Sequence, residues 1–437
     1  MIMGVVADDI TGSNDIGIMF AKSGCLVHVY TYEQPGDYRR FSAGQAGPEI
    51  CILDTNSRLD SPQLAYQKVF AATRELQAAG CRRFFNKTCS VFRGNIGAEF
   101  DAMLDALEAD FAVVVLGFPK NGRRTIDGIH YVHGRRLEES EFSSDPIHPM
   151  NRSNLVEILQ LQTQRKVALL NHEVIALGAQ ALRQRIDRMR TECNYLILDV
   201  PDQAALCTIA EAVPEEQVLC GSSALAEELP AVWGAPGFDA RAIDLERKDG
   251  LGVLCLAGSL MPQTAAQIDH LRGRGVQTFE LDALRLFDPL HRQAEIDRLA
   301  SGIAGRLEMG QDVLLHSPNT PEGVAAARAE GARWGLSNTE TSRRVSETIA
   351  EVGAAALERT GQNRLVVAGG ETSAAVCTRL GVQGLVIWKE IQPGLPSCLS
   401  LSPQPLLLVL KSGSFGSPDF LEKAIEHLKE QGIGDKG

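Results

Sequence analysis

The residues best suited to chemistry stand at the head of the chain, where MIMGVVADDITGSND places paired carboxylates, Asp8 and Asp9, between an apolar run and a stretch with apolar residues at helical spacing. Met1 to Ala7 reads as a strand and Thr11 to Lys22 as a helix, so the carboxylates lie at a strand-to-helix turn. Carboxylates there can accept a hydroxyl proton or hold Mg²⁺ beside a polyol. The glycine and small polar residues of the turn would expose backbone donors at the helix start. One of the pair is expected to cap the helix, a task open also to Thr11 or Ser13, and Asp9 is the one expected to face ligand.

Cations follow at the ends of later predicted strands: Arg58, Lys87 and Arg93. A guanidinium offers a planar fork to a carboxylate, and an ammonium can neutralise a transferring phosphoryl group. Singly each would read as a surface ion pair of little worth; their shared location beside the carboxylates points to an acidic small molecule. Cys89 reads as a packing residue, because no histidine shares its motif.

A second group is built from Gly, Ser and Thr: AGSL at 257–260, AGGETS at 368–373 and KSGSFGS at 411–417. Each stands between a predicted strand and helix, where amide and hydroxyl donors stabilise phosphate. None matches G-x-x-x-x-G-K-[ST] or G-x-G-x-x-G, so neither familiar nucleotide fold is licensed. Alone, any of them reads as an ordinary turn. Three in one half of the chain point to a nucleotide. The nine histidines have no metal-ligand spacing, so no tightly held transition metal is expected.

Strands and helices alternate along almost the whole chain, which predicts an α/β fold of two domains, each a mostly parallel sheet flanked by helices, with the active site in the cleft between domains. The substrate half is expected over 1–235, a Pro-, Gly- and charge-rich linker over 236–250, and the nucleotide half over 251–437. From 120 to 149 the periodicity stops; a hairpin is expected around Ile129 to His133, flanked by Gly128 and Gly134. Strands are placed at 384–390 and 406–411, with a turn at 393–396. At 437 residues the chain exceeds one ordinary core. No apolar run reaches membrane-span length and no signal peptide opens the chain, so a cytoplasmic protein is expected. Ten cysteines without C-x-x-C suit reduced, buried thiols. A net charge of -12 argues against a nucleic-acid binder.

VVADDITGSNDIGIMFAKSG, NKTCSVFRGNIGAEF, NGRRTIDGIHYV, AGGETSAAV and LKSGSFGSPDFL together resemble the four-carbon acid sugar kinases, formerly a domain family of unknown function, from about Gly4 to about Leu428. The resemblance implies ATP-dependent phosphorylation of the terminal hydroxyl of a sugar acid such as D-threonate, D-erythronate or 3-oxo-tetronate, with Mg²⁺ bridging the phosphates. By position it implies substrate contacts at Asp9, Arg58, Asn86, Lys87, Thr88, Ser90 and Arg93, with Asp9, Asp8 and Lys87 nearest the chemistry. It implies nucleotide contacts at Ser259, Gly369, Gly370, Glu371, Thr372, Gly413, Ser414 and Gly416. The chain departs from the threonate-kinase version of the central motif, which has an aspartate where Cys89 stands. The expected partner is a small sugar acid, with no nucleic acid or membrane, and a homodimer is the assembly allowed for. The alternative is a non-catalytic sensor that binds a nucleotide or acidic metabolite through the same loops. A nicotinamide dehydrogenase is disfavoured by the missing dinucleotide fingerprint.

Overall fold

The computed structural model describes residues 2–32, 48–145, 147–234, 250–402 and 404–430. The chain divides into two compact units, Met1–Asp239 and Ala240–Gly437. The linker expected over 236–250 lies, Gly250 apart, outside the described residues.

The first unit runs β1 (Met3–Ala7), α1 (Ile10–Lys22), β2 (Val27–Thr31), β3 (Ile50–Asp54), α2 (Pro62–Ala78), β4 (Phe84–Lys87), α3 (Ile96–Leu107) and β5 (Ala112–Val115). A small sheet of β6 (Arg123–Ile126), β7 (Ile129–Val132) and β8 (Arg135–Arg136) follows. Then come α4 (Leu155–Gln160), β9 (Val167–Leu170), α5 (His172–Ile175), α6 (Ala179–Met189), β10 (Tyr195–Leu198), α7 (Gln203–Ala212), β11 (Val218–Gly221) and α8 (Leu229–Trp233). The main strands lie in the order β2-β3-β1-β4-β11-β5-β10-β9, every pair parallel. Short apolar strands such as GVVA, ICIL and AVVV are buried throughout, which suits a parallel sheet covered on both faces. Register does the positioning: Ala7 pairs with Asp54 and Lys87, and Lys87 pairs with Gly221. The turns after four adjacent strands therefore open at one edge.

The expected hairpin is the first half of a three-stranded antiparallel meander. Asp127 and Gly128 have φ of 51° and 75°, and His133 and Gly134 have 49° and 82°, so each turn carries two consecutive left-handed residues, as tight hairpins with matched twist require. Asp199 ties the first turn down by accepting from the amides of Asp127 (2.6 Å), Gly128 (2.9 Å) and His172 (3.0 Å). Asp127, His172 and Asp199 gather their side-chain ligand atoms within 4.8 Å, but the buried carboxylate among them is already engaged by those amides.

The second unit runs β12 (Leu254–Ala257), α9 (Pro262–Gly273), β13 (Gln277–Glu280), α10 (Pro289–Glu308), β14 (Val313–His316), α11 (Pro321–Arg333), α12 (Asn338–Thr360), β15 (Arg364–Ala368), α13 (Gly370–Arg379), β16 (Gly384–Gln392), β17 (Leu395–Ser400), β18 (Leu407–Lys411) and α14 (Phe420–Glu430). Its strand order is β13-β14-β12-β15-β18-β17-β16. The first five are parallel, and β17 runs antiparallel to both neighbours. The turn expected at 393–396 is shorter than read, because β17 begins at Leu395. Between β11 and α8 the chain makes a 3-10 turn at Ala224–Glu227. Ala368 pairs with both Ala257 and Lys411, so the three Gly-rich turns share one edge as well. None of the ten cysteines is in a disulfide, and only Cys207 is exposed. Among the described residues no helix is long and apolar enough to cross a membrane.

Candidate active site

In the first unit the carboxylate pair is locked by one guanidinium. Arg58 Nε and Nη2 donate to the two oxygens of Asp8 at 2.8 and 2.7 Å, and Nη1 donates to Asp9. Asp9 also caps α1, accepting from the Gly12 amide at 2.5 Å and from the Thr11 hydroxyl at 3.2 Å. The cap thus falls on the residue expected to face ligand, and among the described residues the Asp8 carboxylate is hydrogen-bonded by Arg58. Lys87, closing β4, is buried; its Nζ donates to the Thr88 carbonyl at 3.1 Å and lies 3.5 Å from Asp15. Gly12 is needed here, since a Cβ would stand 2.7 Å from Asp9 Oδ1 and 3.1 Å from Lys87 Nζ. Asp8, Asp9, Arg58 and Lys87 are therefore brought into one cluster.

Arg93 faces a different set of groups. It pairs with Asp145 at 2.5 Å, lies over the Phe142 ring and donates from Nε to Cys89 Sγ at 3.4 Å. His148 bonds to the Arg58 carbonyl at 3.1 Å, so the end of the 120–149 segment is anchored to two of the expected site residues. Asn86 donates to the Glu99 carbonyl at 3.3 Å, which leaves its Oδ1 and the Thr88 hydroxyl buried without a partner among the described residues. Ser90 is also buried.

Crowding sets the electrostatics. Burial disfavours charge on Asp9, but Arg58 and then Lys87 outweigh it and hold that carboxyl below its usual range. Asp54 is pushed up to about 8 by burial and by the neighbouring Asp9, so it is largely protonated at neutral pH. Burial likewise raises Glu99, which accepts from the Ser57 hydroxyl at 2.7 Å. Asp15 is raised by burial despite Lys87 and the Ser223 hydroxyl, which donates to it at 2.7 Å. At Cys89 burial opposes the thiolate, yet Arg93 and Arg58 lower the thiol below its ordinary value. The expected packing residue is thus buried, with a polar partner.

Asp15, Ser223, Asp54 and Glu99 were missed from the sequence. Asp15 lies one turn beyond Thr11, and Gly221-Ser222-Ser223 has the same Gly-Ser composition that drew attention in the second half. Those two signals could have found half of them.

In the second unit Ser259 is the meeting point. A Cβ on Gly413 would stand 2.1 Å from its Oγ, and one on Gly369, where φ is 123°, would stand 3.2 Å from its Cβ. Thr372 packs against Gly258, where a Cβ would meet its Oγ1 at 2.1 Å. Ser259, Gly369, Thr372 and Gly413 are therefore brought together. Gly370 and Glu371 open α13. Glu371 accepts from the Ser342 hydroxyl at 2.7 Å through one oxygen; its other oxygen and the Ser373 hydroxyl are buried without a partner among the described residues. Ser414 is buried beside Gly413. Gly416 is accounted for by packing, since a Cβ there would lie 2.9 Å from Gln267 and from Phe420.

Comparison with known proteins agrees with this division. A family described as a sugar-binding N-terminal domain matches residues 3–229, and one described as a nucleotide-binding C-terminal domain matches 254–421. The chain is 34% identical over 435 residues to a protein of Cupriavidus necator named 3-oxo-tetronate kinase, covering 98% of this chain and 97% of that one. A protein of the same name from Pseudomonas fluorescens is 35% identical, with the same coverage of 98% and 97%. Among solved structures, one from Salmonella typhimurium described as a putative tRNA synthase superposes with a TM-score of 0.80 at 27% identity, over 98% of this chain and 99% of the other. A Haemophilus influenzae protein gives a TM-score of 0.70 at 27% identity, over 98% and 100%.

Proposed function

The chain belongs to the four-carbon acid sugar kinase family, which joins a sugar-binding N-terminal domain to a nucleotide-binding C-terminal domain, and on that premise we propose that it phosphorylates the terminal hydroxyl of a four-carbon sugar acid with ATP. 3-Oxo-tetronate, the acid named for the relatives, is the first candidate. ATP as donor implies a cytoplasmic setting. The observation that carries the reading is the buried Asp8–Asp9–Arg58–Lys87 cluster at the end of adjacent parallel strands, the edge where open α/β sheets bind ligands.

Arg58 has its fork bonded to Asp8 and Asp9, so its work is to fix them. The substrate carboxylate is better received by Arg93, whose acid partner comes from the segment after the meander. Asp9, held ionised, accepts a hydrogen bond from the attacking hydroxyl and aims its oxygen. Phosphoryl transfer through a loose transition state asks mainly for such positioning and for charge stabilisation.

The second unit fits a polyphosphate: three backbone turns without side-chain bulk pack around Ser259, with a free carboxylate oxygen on Glu371 and a free hydroxyl on Ser373. Glu371 would hold Mg²⁺, which neutralises charge on the transferring phosphates when bound. Ser259, Gly369 to Thr372 and Gly413 would line the phosphates.

The test is ADP production from ATP and Mg²⁺ across the stereoisomers of threonate, erythronate and 3-oxo-tetronate. Turnover on at least one acid is expected. Tight binding of acid and nucleotide with no turnover on any would replace the kinase with a sensor.

A further inference from the structure

We propose that Lys411 couples nucleotide binding to proton uptake: its buried amine becomes an ammonium when a polyphosphate occupies the turns it holds together. The inference rests on the reading that those turns take a nucleotide.

Lys411 ends β18 and is fully buried. Its main-chain carbonyl accepts from the Gly369 amide at 2.9 Å, and its Nζ donates to Thr264 Oγ1 at 2.9 Å and reaches the Gly413 carbonyl at 3.4 Å. Thr264 in turn donates to that same Gly413 carbonyl at 2.9 Å. One residue therefore links the second and third turns, and both pack on Ser259 of the first. It is a positioning residue for the site.

Its partners are uncharged. Among the described residues no carboxylate lies within ion-pairing distance of Nζ. The titratable group facing it is the Cys255 thiol on β12, itself raised by burial and therefore neutral. From α9 it meets Thr264, followed one turn later by the neutral Gln267. The acidic residue opening α13, Glu371, gives one carboxylate oxygen to Ser342. Burial without a counter-charge lowers the amine from the ordinary 10.5 to about 7. A polyphosphate on the adjacent turns would be the missing counter-charge, and because the amine itself is out of water it would draw the proton back.

The experiment is calorimetric titration of the full-length protein with ADP in excess Mg²⁺, from pH 6 to 8.5, in buffers of different ionisation enthalpy. Uptake of about half a proton per nucleotide is expected at pH 7, rising towards about one at pH 8 and vanishing near pH 6, where the amine is already charged. Lys411→Met should abolish the buffer-dependent heat, and Lys411→Arg should bind without uptake. Should neither variant fold, the pH course of the wild-type protein decides alone. Nucleotide binding with no proton uptake at pH 8 would overturn the coupling. No nucleotide binding at any pH would instead remove the reading on which the proposal rests, and the proposal with it.

Discussion

Gly12→Ala should separate function from stability in the first unit. Gly12 is the third residue of α1, after Ile10 and Thr11, and its would-be Cβ falls 2.7 Å from Asp9 Oδ1 and 3.1 Å from Lys87 Nζ. The carboxylate would have to retreat by about half an ångström to restore an ordinary contact. It cannot rotate freely, because Arg58, Thr11 and the Gly12 amide all hold it. Alanine gains about 1 kcal/mol over glycine inside a helix, and loss of an N-cap bond costs about 1 kcal/mol. These nearly cancel, so the melting temperature should stay within about 4 °C of wild type. Catalysis has no such compensation. If Asp9 aims the attacking hydroxyl, as proposed, its displacement should lower kcat/KM about 100-fold, equivalent to ~2.7 kcal/mol of transition-state stabilisation. The two measurements are a steady-state ADP assay and a thermal melt on the same preparation. Wild-type kcat/KM in the variant would refute the reasoning. An unchanged kcat/KM with a melting point lowered by ten degrees would show that Asp9 is purely a structural cap.

Asp54→Asn tests the buried acid. A carboxyl raised from 3.8 to about 8 in the folded state contributes stability that is present at low pH and lost as pH rises through 8. Relative to wild type, the variant should therefore gain about 1 kcal/mol per pH unit between pH 5 and 8 in urea unfolding; parallel pH curves would refute it. Asp145→Asn removes the carboxylate that pairs with Arg93. If the substrate carboxylate takes that place, its KM should fall about threefold or more while the KM for ATP stays put; a raised KM for the acid would mean that Asp145 holds Arg93 in place.

What was legible in the sequence is what periodicity and composition encode. The opening strand, its carboxylates and the Gly-rich turns stood out because apolar runs end abruptly in Asp, Gly, Ser and Thr. β17 did not. Its six residues, LPSCLS, are buried on both faces, so no alternation marks them, and Pro396 argues against an inner strand. The structure accommodates Pro396 opposite Glu390, between two register irregularities in the β16–β17 ladder. Asp15 escaped for a related reason. α1 is buried from Ile10 to Phe20, so no polar stripe separates a side chain that serves the cluster from one that faces water. A salt bridge from α1 to the end of β4 is a product of parallel register, and register is not written in either segment alone.

The carboxylates at this edge outnumber what an acid-binding site would be expected to tolerate, and the resolution lies in protonation and pairing. Asp54, raised to about 8 by burial and by Asp9, relieves the cluster of one negative charge near neutrality, and Glu99 is shifted in the same direction by burial and by Asp8. Asp8 and Asp9 face Arg58, and Asp15 faces Lys87. That leaves Arg93, paired with Asp145 from the segment after the meander rather than from a strand end. Asp145 meets Arg93 through Oδ2, while its Oδ1 accepts from the Ile147 and His148 amides, so this pair can part without disturbing a strand end. If Arg93 receives the substrate carboxylate, as proposed, that carboxylate would compete with Asp145 for the guanidinium, while the four strand ends keep the geometry in which a hydroxyl would be aimed. On that reading a neutral tetrose, unable to pair with Arg93, should bind more weakly by the worth of a charge-assisted hydrogen bond, about 1.5–3 kcal/mol.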